Sequence, residues 1–403
     1  MIFTYCKLRD ILVSIHSGGT PSTTEKEYWG GSYKWLSSGE TSKRFIADTI
    51  DTITERGIKE SSTKLANRES VVMACAGQGK TRGQTSFLLD DMYVNQSVIV
   101  LNPDKKKVLP LYLFYDLSGR YDELRGGSDA SSTRGSITTT SLKALPFRYP
   151  SIAEQERIVT TLYAYDNLID VNNKRIKVLE QMAENLYKEW FVRFRFPGHE
   201  NAEFENGIPK GWQISRMEDF CYVTDGTHDT PKSTENGVPL VTGKFIEDGE
   251  INFDEAYLIS EDDHEAIKKR SGLSTGDILF SNIGTVGKSC IVDYQREFSV
   301  KNVIIFKPNS FNKALFLYYW LTSPTMQEIF STQTNGASQQ FVGLTFMRRY
   351  KIMVPPQTVL SQFEDQIYPI YQLQVLLRNN RKKLIKQRDL LLPRLMSGKL
   401  EIK

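Results

Sequence analysis

The sequence predicts an α+β chain written as an internal repeat: two similar strand-rich domains joined by two long helices that form an antiparallel coiled coil, with a pseudo-two-fold relation between the halves. Three observations carry this reading. A Gly79-Lys80-Thr81 turn recurs as Gly287-Lys288-Ser289, an offset of 287 − 79 = 208, and each copy sits between two apolar strands ("SVVMACA" and "SFLL", then "GDILFSN" and "CIV"). Downstream, "NQSVIVLNPD" matches "VKNVIIFKPN" and "PLYLFYDLSG" matches "ALFLYYWLTS". Finally, each half runs past a proline-marked boundary into a long stretch with heptad-spaced apolar residues.

The first domain spans residues 1–150 and holds "ACAGQGKT", which ends like a nucleotide-binding P-loop. A phosphate cradle needs G-x-x-x-x-G-K-[ST] leading into a helix N-terminus. Here the first glycine is Ala74, its counterpart is Asn282, and "TRGQTSFLLDD" reads as turn and strand. A hairpin turn is expected in both halves, and no nucleotide site. Residues 151–194 form the first long helix, with Ile158, Leu162, Tyr165, Ile169, Ile176, Leu179, Ala183, Leu186 and Trp190 on one stripe and Asn172 its only polar member. At ~1.5 Å per residue the proline- and glycine-free run 152–190 within it extends for roughly 58 Å, more than one domain needs. The Pro/Gly-containing stretch 195–211 is a linker and 212–356 the second domain. Residues 357–403 carry the second helix and tail, with Ile370, Leu373, Leu377, Leu384 and Leu391 on a stripe that includes Asn380 and Gln387. Since 380 − 172 = 208, both asparagines are expected at one seam position, fixing register. Pro369 and Pro393 should shorten or kink this helix.

Composition narrows the class. The 403 residues, 40% hydrophobic and 25% charged, describe an ordinary soluble protein with material for real cores. No run approaches the ~20 apolar residues of a membrane span, and the N-terminus lacks a signal-peptide pattern. Cys6, Cys75, Cys221 and Cys290 form no C-x-x-C pair, so a cytoplasmic protein without a zinc site is expected. The four histidines show no metal-ligand spacing. "VLNPDKK" lacks the second proline and the aromatic of an adenine-methyltransferase pocket. A net charge of +3 allows DNA binding without arguing for it. The residues describe a reader rather than a catalyst.

The order of elements, the two turns ending in Gly-Lys, the P-x-x-x-E-Q helix entry, "LYKEWFVRF" at the first helix end, "IPKGWQISRMEDF" and "LLPRLMSGKLEI" together resemble a type I restriction–modification DNA specificity subunit over essentially the whole chain. Ala76-Gly77-Gln78 departs from the family's G-T-[VI] in the first turn, and Ser361-Gln362 from its Glu-Gln at the second helix entry. The resemblance implies two target-recognition domains that each read one part of a split double-stranded DNA site. It implies helices that act as a ruler and dock two modification (methyltransferase) subunits. No cofactor is expected on this chain: S-adenosylmethionine, ATP and magnesium would belong to the modification subunits and to a motor–nuclease restriction subunit. Two alternatives stay open at this point, an orphan DNA-binding or anti-restriction protein and a fused methyltransferase or NTPase.

Bases are read by Arg, Lys, Asn, Gln, Ser and Thr on loops or helices in the major groove. The candidates in the first domain are Thr20, Ser22, Lys80, Arg82, Gln84, Ser131 and Arg134. In the second they are Thr227, His228, Lys232, Lys244, Lys288, Ser338, Gln339 and Gln340. Lys80 and Lys288 stand out because both halves retain them.

Overall fold

The computed structural model describes residues 1–77, 79–129, 135–293, 296–334 and 341–402. It divides into two compact units, Met1–Asn172 with Asn380–Lys403, and Asn173–Asn379. Both divisions fall inside the long helices, so each unit holds part of both helices rather than one helix of its own.

The repeat is visible strand by strand. In the first unit a five-stranded sheet orders Leu12–Ser17, Val98–Pro103, Val71–Ala74, Thr85–Leu88 and Phe45–Ile46. In the second, four strands take the same order: Tyr222–Asp225, Val303–Lys307, Ile278–Ser281 and Ser289–Ile291. The continuous apolar runs follow from burial on both faces. Val71, Met73, Ile99 and Leu101 face one core, whereas Val72, Val98 and Val100 face another. Ile278, Phe280, Ile304 and Phe306 likewise oppose Leu279, Val303 and Ile305, as the period of two requires. A second sheet covers one face in each unit and carries a parallel pair, Trp35↔Tyr93 in the first and Leu240↔Ser299 in the second. The helices Pro110–Ser118 and Phe311–Thr322 lie in the opposite core, beside the long helices.

The Gly-Lys segments are hairpin turns. Val71–Met73 pair antiparallel with Thr85–Phe87, and Ile278–Phe280 with Ser289–Ile291. Gly79 and Gly287 hold positive φ (70° and 97°), which suits glycine. Each turn leads into a strand.

The first long helix runs Ile152–Tyr187 and closes in a π-turn, Lys188–Val192. Its Pro-x-x-x-Glu-Gln entry has a physical reading. Ser151 and Glu154 cap each other's backbone N–H groups (3.2 and 3.4 Å). The fully buried Gln155 accepts from Leu109 N and donates to Lys107 O and Pro150 O. The expected seam holds: Ile158, Leu162, Ile169, Asn172, Ile176, Ala183 and Trp190 are buried, and Tyr165, Leu179 and Leu186 half-buried.

The second helix corrects two expectations. It runs from Gln357 to Met396 through Pro369 and Pro393, so neither proline shortens it. Both prolines occupy exposed positions, where water can take the carbonyl that loses its partner. Its buried side also follows the predicted stripe only in part, with Leu377 buried and Ile370, Leu384 and Leu391 half-buried. Phe363, Ile367, Tyr371, Gln374, Leu377, Arg378, Arg388, Leu392 and Leu395 are buried, whereas Leu373, Asn380 and Gln387 are exposed. Asn380 is therefore no seam residue, although Asn172 is. Apolar counting missed the side because two of its members are arginines held by carboxylates of the first helix. Within the first unit Arg388 Nη1 donates to Asp166 (2.6 Å) and Arg157 to Ile402 O (3.5 Å). Within the second, Arg378 Nη2 donates to Glu180 (2.8 Å) and Trp190 packs on Phe363 (5.6 Å). One numbering rises as the other falls, so the helices run antiparallel in each unit. Among the described residues no helix is long and apolar enough to cross a membrane.

Candidate nucleic-acid interface

Each unit gathers four loops at one end of its main sheet. In the first, the chain leaving Leu12–Ser17 lies on the Val94–Ser97 turn: Gly18 N and Gly19 N donate to Asn95 O and Val94 O (3.2 and 3.1 Å). The approach requires glycine, because a Cβ on Gly18 would stand 1.9 Å from Val94 O. The hairpin turn joins them, as Cys75 N donates to Ser97 O, and the segment from Gly135 closes the group through Ile137 N to Cys75 O. The second unit repeats the plan. Gly226 N and Thr227 N donate to Val303 O and Val300 O, and a Cβ on Gly226 would meet Val300 O at 2.2 Å. Asn282 O in the hairpin turn accepts from Val342 N, and Thr285 Oγ1 donates to Gly243 O.

Several candidates stand on these loops. The Thr20 hydroxyl is held by Gln96 Oε1 (2.5 Å), and Ser22 is exposed and shares a hydrogen bond with Thr24 (2.8 Å). Lys80 is exposed, with its carbonyl accepting from the Tyr121 hydroxyl. Gln84 is half-buried and accepts from Thr41. In the second unit Lys232 is exposed, and Lys244 carries its ammonium 4.5 Å above the Phe245 ring. His228 is 62% exposed in its side chain yet clamped, Nε2 at 2.8 Å from Asp225 and Nδ1 at 2.9 Å from Asn302. Asp225 also accepts from Arg270 Nη2 (2.8 Å).

Two candidates are corrected. Arg82 is buried, 6% exposed, and spends Nη1 on Gly135 O (2.7 Å), fastening the hairpin to the next loop. Thr227 is equally buried, and its hydroxyl accepts from Asp229 N (3.1 Å), closing a local turn. Neither side chain is placed to reach a base. Lys288 is exposed and also borders a cavity shared with Gln374 and Arg378 of the second long helix. Ser131, Arg134, Ser338, Gln339 and Gln340 lie outside the described residues.

Sequence reading missed Gln96 and Asn302, which hold Thr20 and His228. Asn302 had a signal in retrospect: its φ of 51° is left-handed, a conformation that asparagine tolerates in turns. All four cysteines are free, and burial pushes the Cys221 and Cys290 thiols up to about 12, far from a reactive thiolate. Among the described residues no group of three or more His, Cys, Asp or Glu is placed to hold a metal ion.

Comparison with known proteins agrees with this geometry. The signature of the type I restriction modification DNA specificity domain matches twice, at residues 3–181 and 209–385. The MjaIX specificity subunit of a type I restriction enzyme of Methanocaldococcus jannaschii is 27% identical, over 98% of this chain and 93% of its own length. The EcoR124I/EcoR124II specificity subunit of Escherichia coli is 30% identical over 46% of this chain and 47% of its own. In fold, the crystal structure of the S subunit of a type I restriction–modification system from M. genitalium superposes with a TM-score of 0.62 at 13% identity, over 98% of this chain and 96% of that one.

Proposed function

The chain belongs to the type I restriction–modification DNA specificity family, as a specificity subunit rather than an orphan or anti-restriction protein, and from that premise we propose that its two units each read one part of a split DNA sequence. The observation that supports this is the duplicated loop cluster. Two sheets of one topology present loops of different sequence, so the two half-sites differ as well. The cluster built on Thr20, Ser22, Lys80 and Gln84 reads one, and that built on His228, Lys232 and Lys244 the other. Base-edge contacts specify and phosphate contacts position. The long helices set the spacing and dock two modification subunits, which supply S-adenosylmethionine chemistry on adenine. The exposed apolar residues Leu168, Val171, Val178 and Met182 of the first helix, each at least 39% accessible, support a docking role. A restriction subunit with ATP and magnesium completes the cleaving complex in the cytoplasm, and this chain itself binds neither nucleotide nor cofactor.

Exchanging residues 1–150 for the first domain of another family member tests the reading. Sequencing of methylated adenines should show one half-site replaced and the other kept, and simultaneous change of both would refute independent readout. Inserting four residues at Asn172 tests the ruler. About 6 Å of added helix is nearly two base-pair steps, so the unspecified spacer should lengthen by one or two base pairs while both half-sites persist.

A further inference from the structure

The second unit contains a cavity of about 320 Å³, open to solvent, whose polar walls are incompletely satisfied. Gln374, Arg378 and Tyr319 line it and are 1%, 2% and 7% exposed. Nε2 of Gln374, Nε of Arg378 and the hydroxyl of Tyr319 make no well-formed hydrogen bond, although the Gln374 amide and the Tyr319 hydroxyl lie side by side. Each can donate, the Tyr319 hydroxyl being an acceptor as well, and a buried donor without an acceptor is costly.

The first unit shows what completes such a group. In the matched helices "PLYLFYDLSG" and "ALFLYYWLTS", Tyr115 and Tyr319 both stand sixth. Tyr115 donates to Asp166 Oδ2 at 2.7 Å, and Asp166 also accepts from Arg388 Nη1 (2.6 Å) and Arg44 Nε (3.2 Å). In the second unit Tyr319 shares a cavity wall with Gln374 of the second long helix. The second unit thus keeps the tyrosine and an arginine but sets an amide beside them.

We propose that this cavity is a carboxylate-binding site. The incoming carboxylate passes Lys288 at the mouth and accepts from the Tyr319 hydroxyl, Gln374 Nε2 and Arg378 Nε. Glu180 is already held by Arg378 Nη2 (2.8 Å) and leaves Nε available. Glu184 and Asp248 also border the cavity and oppose an anion. A free carboxylate is therefore a weak ligand, and an aspartate or glutamate presented by a docked subunit, at high effective concentration, a stronger one. That second source rests on the assembly proposed above; the first does not.

Three measurements on the full chain test the site. Gln374→Glu supplies the carboxylate internally and should raise the melting temperature by several degrees. A fall would mean an ordinary water-filled void and overturn the proposal. Sodium acetate near 100 mM, against chloride at equal ionic strength, should raise the melting temperature of the wild type but not of Tyr319→Phe. Equal shifts, or none, overturn it too. Affinity for a modification subunit then separates the sources. Tenfold weaker assembly of Tyr319→Phe and of Gln374→Glu assigns the site to a partner's carboxylate, and unchanged assembly alongside a positive acetate result assigns it to a free one. Half-site specificity is read from methylated DNA, so its failure would be distinct from failure here.

Discussion

The two places where a tyrosine from a strand-rich unit meets the long helices are built from one plan and finished differently. Around Tyr115 a single carboxylate, Asp166, collects a phenol and two guanidiniums, with Arg44 further stacked over Phe114 at 4.9 Å. Around Tyr319 the aromatic framework persists while the carboxylate is gone. The lesson is that a repeat conserves shape before it conserves charge. Aromatic and aliphatic positions recur because they fill the same core, while a buried ionic group can be lost once its partners are rearranged.

The largest expected effect breaks the first of the two. Asp166→Ala takes the shared carboxylate from Tyr115 and Arg44 and leaves the buried Arg388 to Asp389 alone, and should cost about 3 kcal/mol in the first unit, read as a drop in the denaturant midpoint. Gln374→Ala, beside Tyr319 in the second unit, removes no charge and should cost less than half as much. A similar loss for both would mean that packing, not charge, holds the Tyr115 group.

A second difference is sensitive to pH. Asp116 follows Tyr115, and its counterpart after Tyr319 is Trp320. Burial raises the Asp116 carboxyl to about 6, against the pull of Arg120 at 3.4 Å. The folded state therefore holds its proton to higher pH than the unfolded chain, whose carboxyl titrates near ~4. This contribution to stability is fully present below pH ~4 and is lost as pH rises through about 6. Asp116→Asn should accordingly be about 1–2 kcal/mol more stable than wild type at pH 7–8 and equal to it near pH 4. Melting curves across that range decide the matter, and a pH-independent difference would contradict the assignment.

The smallest effect is the sharpest test of the comparison. Tyr115→Phe loses a hydrogen bond to a carboxylate and should cost about 1.5 kcal/mol or more, whereas Tyr319→Phe removes a hydroxyl that meets an amide and makes no well-formed hydrogen bond, and should cost clearly less in the isolated chain. Equal losses in chemical denaturation would erase the distinction between the two groups.

The contrast also explains what could be read from the sequence. The hairpins around Lys80 and Lys288 and the seam of the first helix were legible because they rest on apolar runs and their period. The buried side of the second helix was not, because Gln374, Arg378 and Arg388 look like surface residues until Glu180 and Asp166 are placed beside them. Pro369 and Pro393 fail to shorten the helix for a related reason: a proline's cost depends on whether its side of the helix is wet. At the recognition loops residue type alone could not separate the exposed Lys80 from the buried Arg82 two positions later, since that depends on which way the turn faces.

The division of the chain has a consequence for how the protein is made. The second unit, Asn173–Asn379, is one uninterrupted stretch, whereas the first is completed only by Asn380–Lys403. During synthesis the strands of residues 1–150 emerge early, yet Leu392, Leu395 and Met396, which fill out the core around Ile158 and Leu162, come more than 200 residues later. Long-range closure of this kind is slow. The second unit can therefore acquire its native packing while the first still lacks part of its own, so the half translated first is the half finished last.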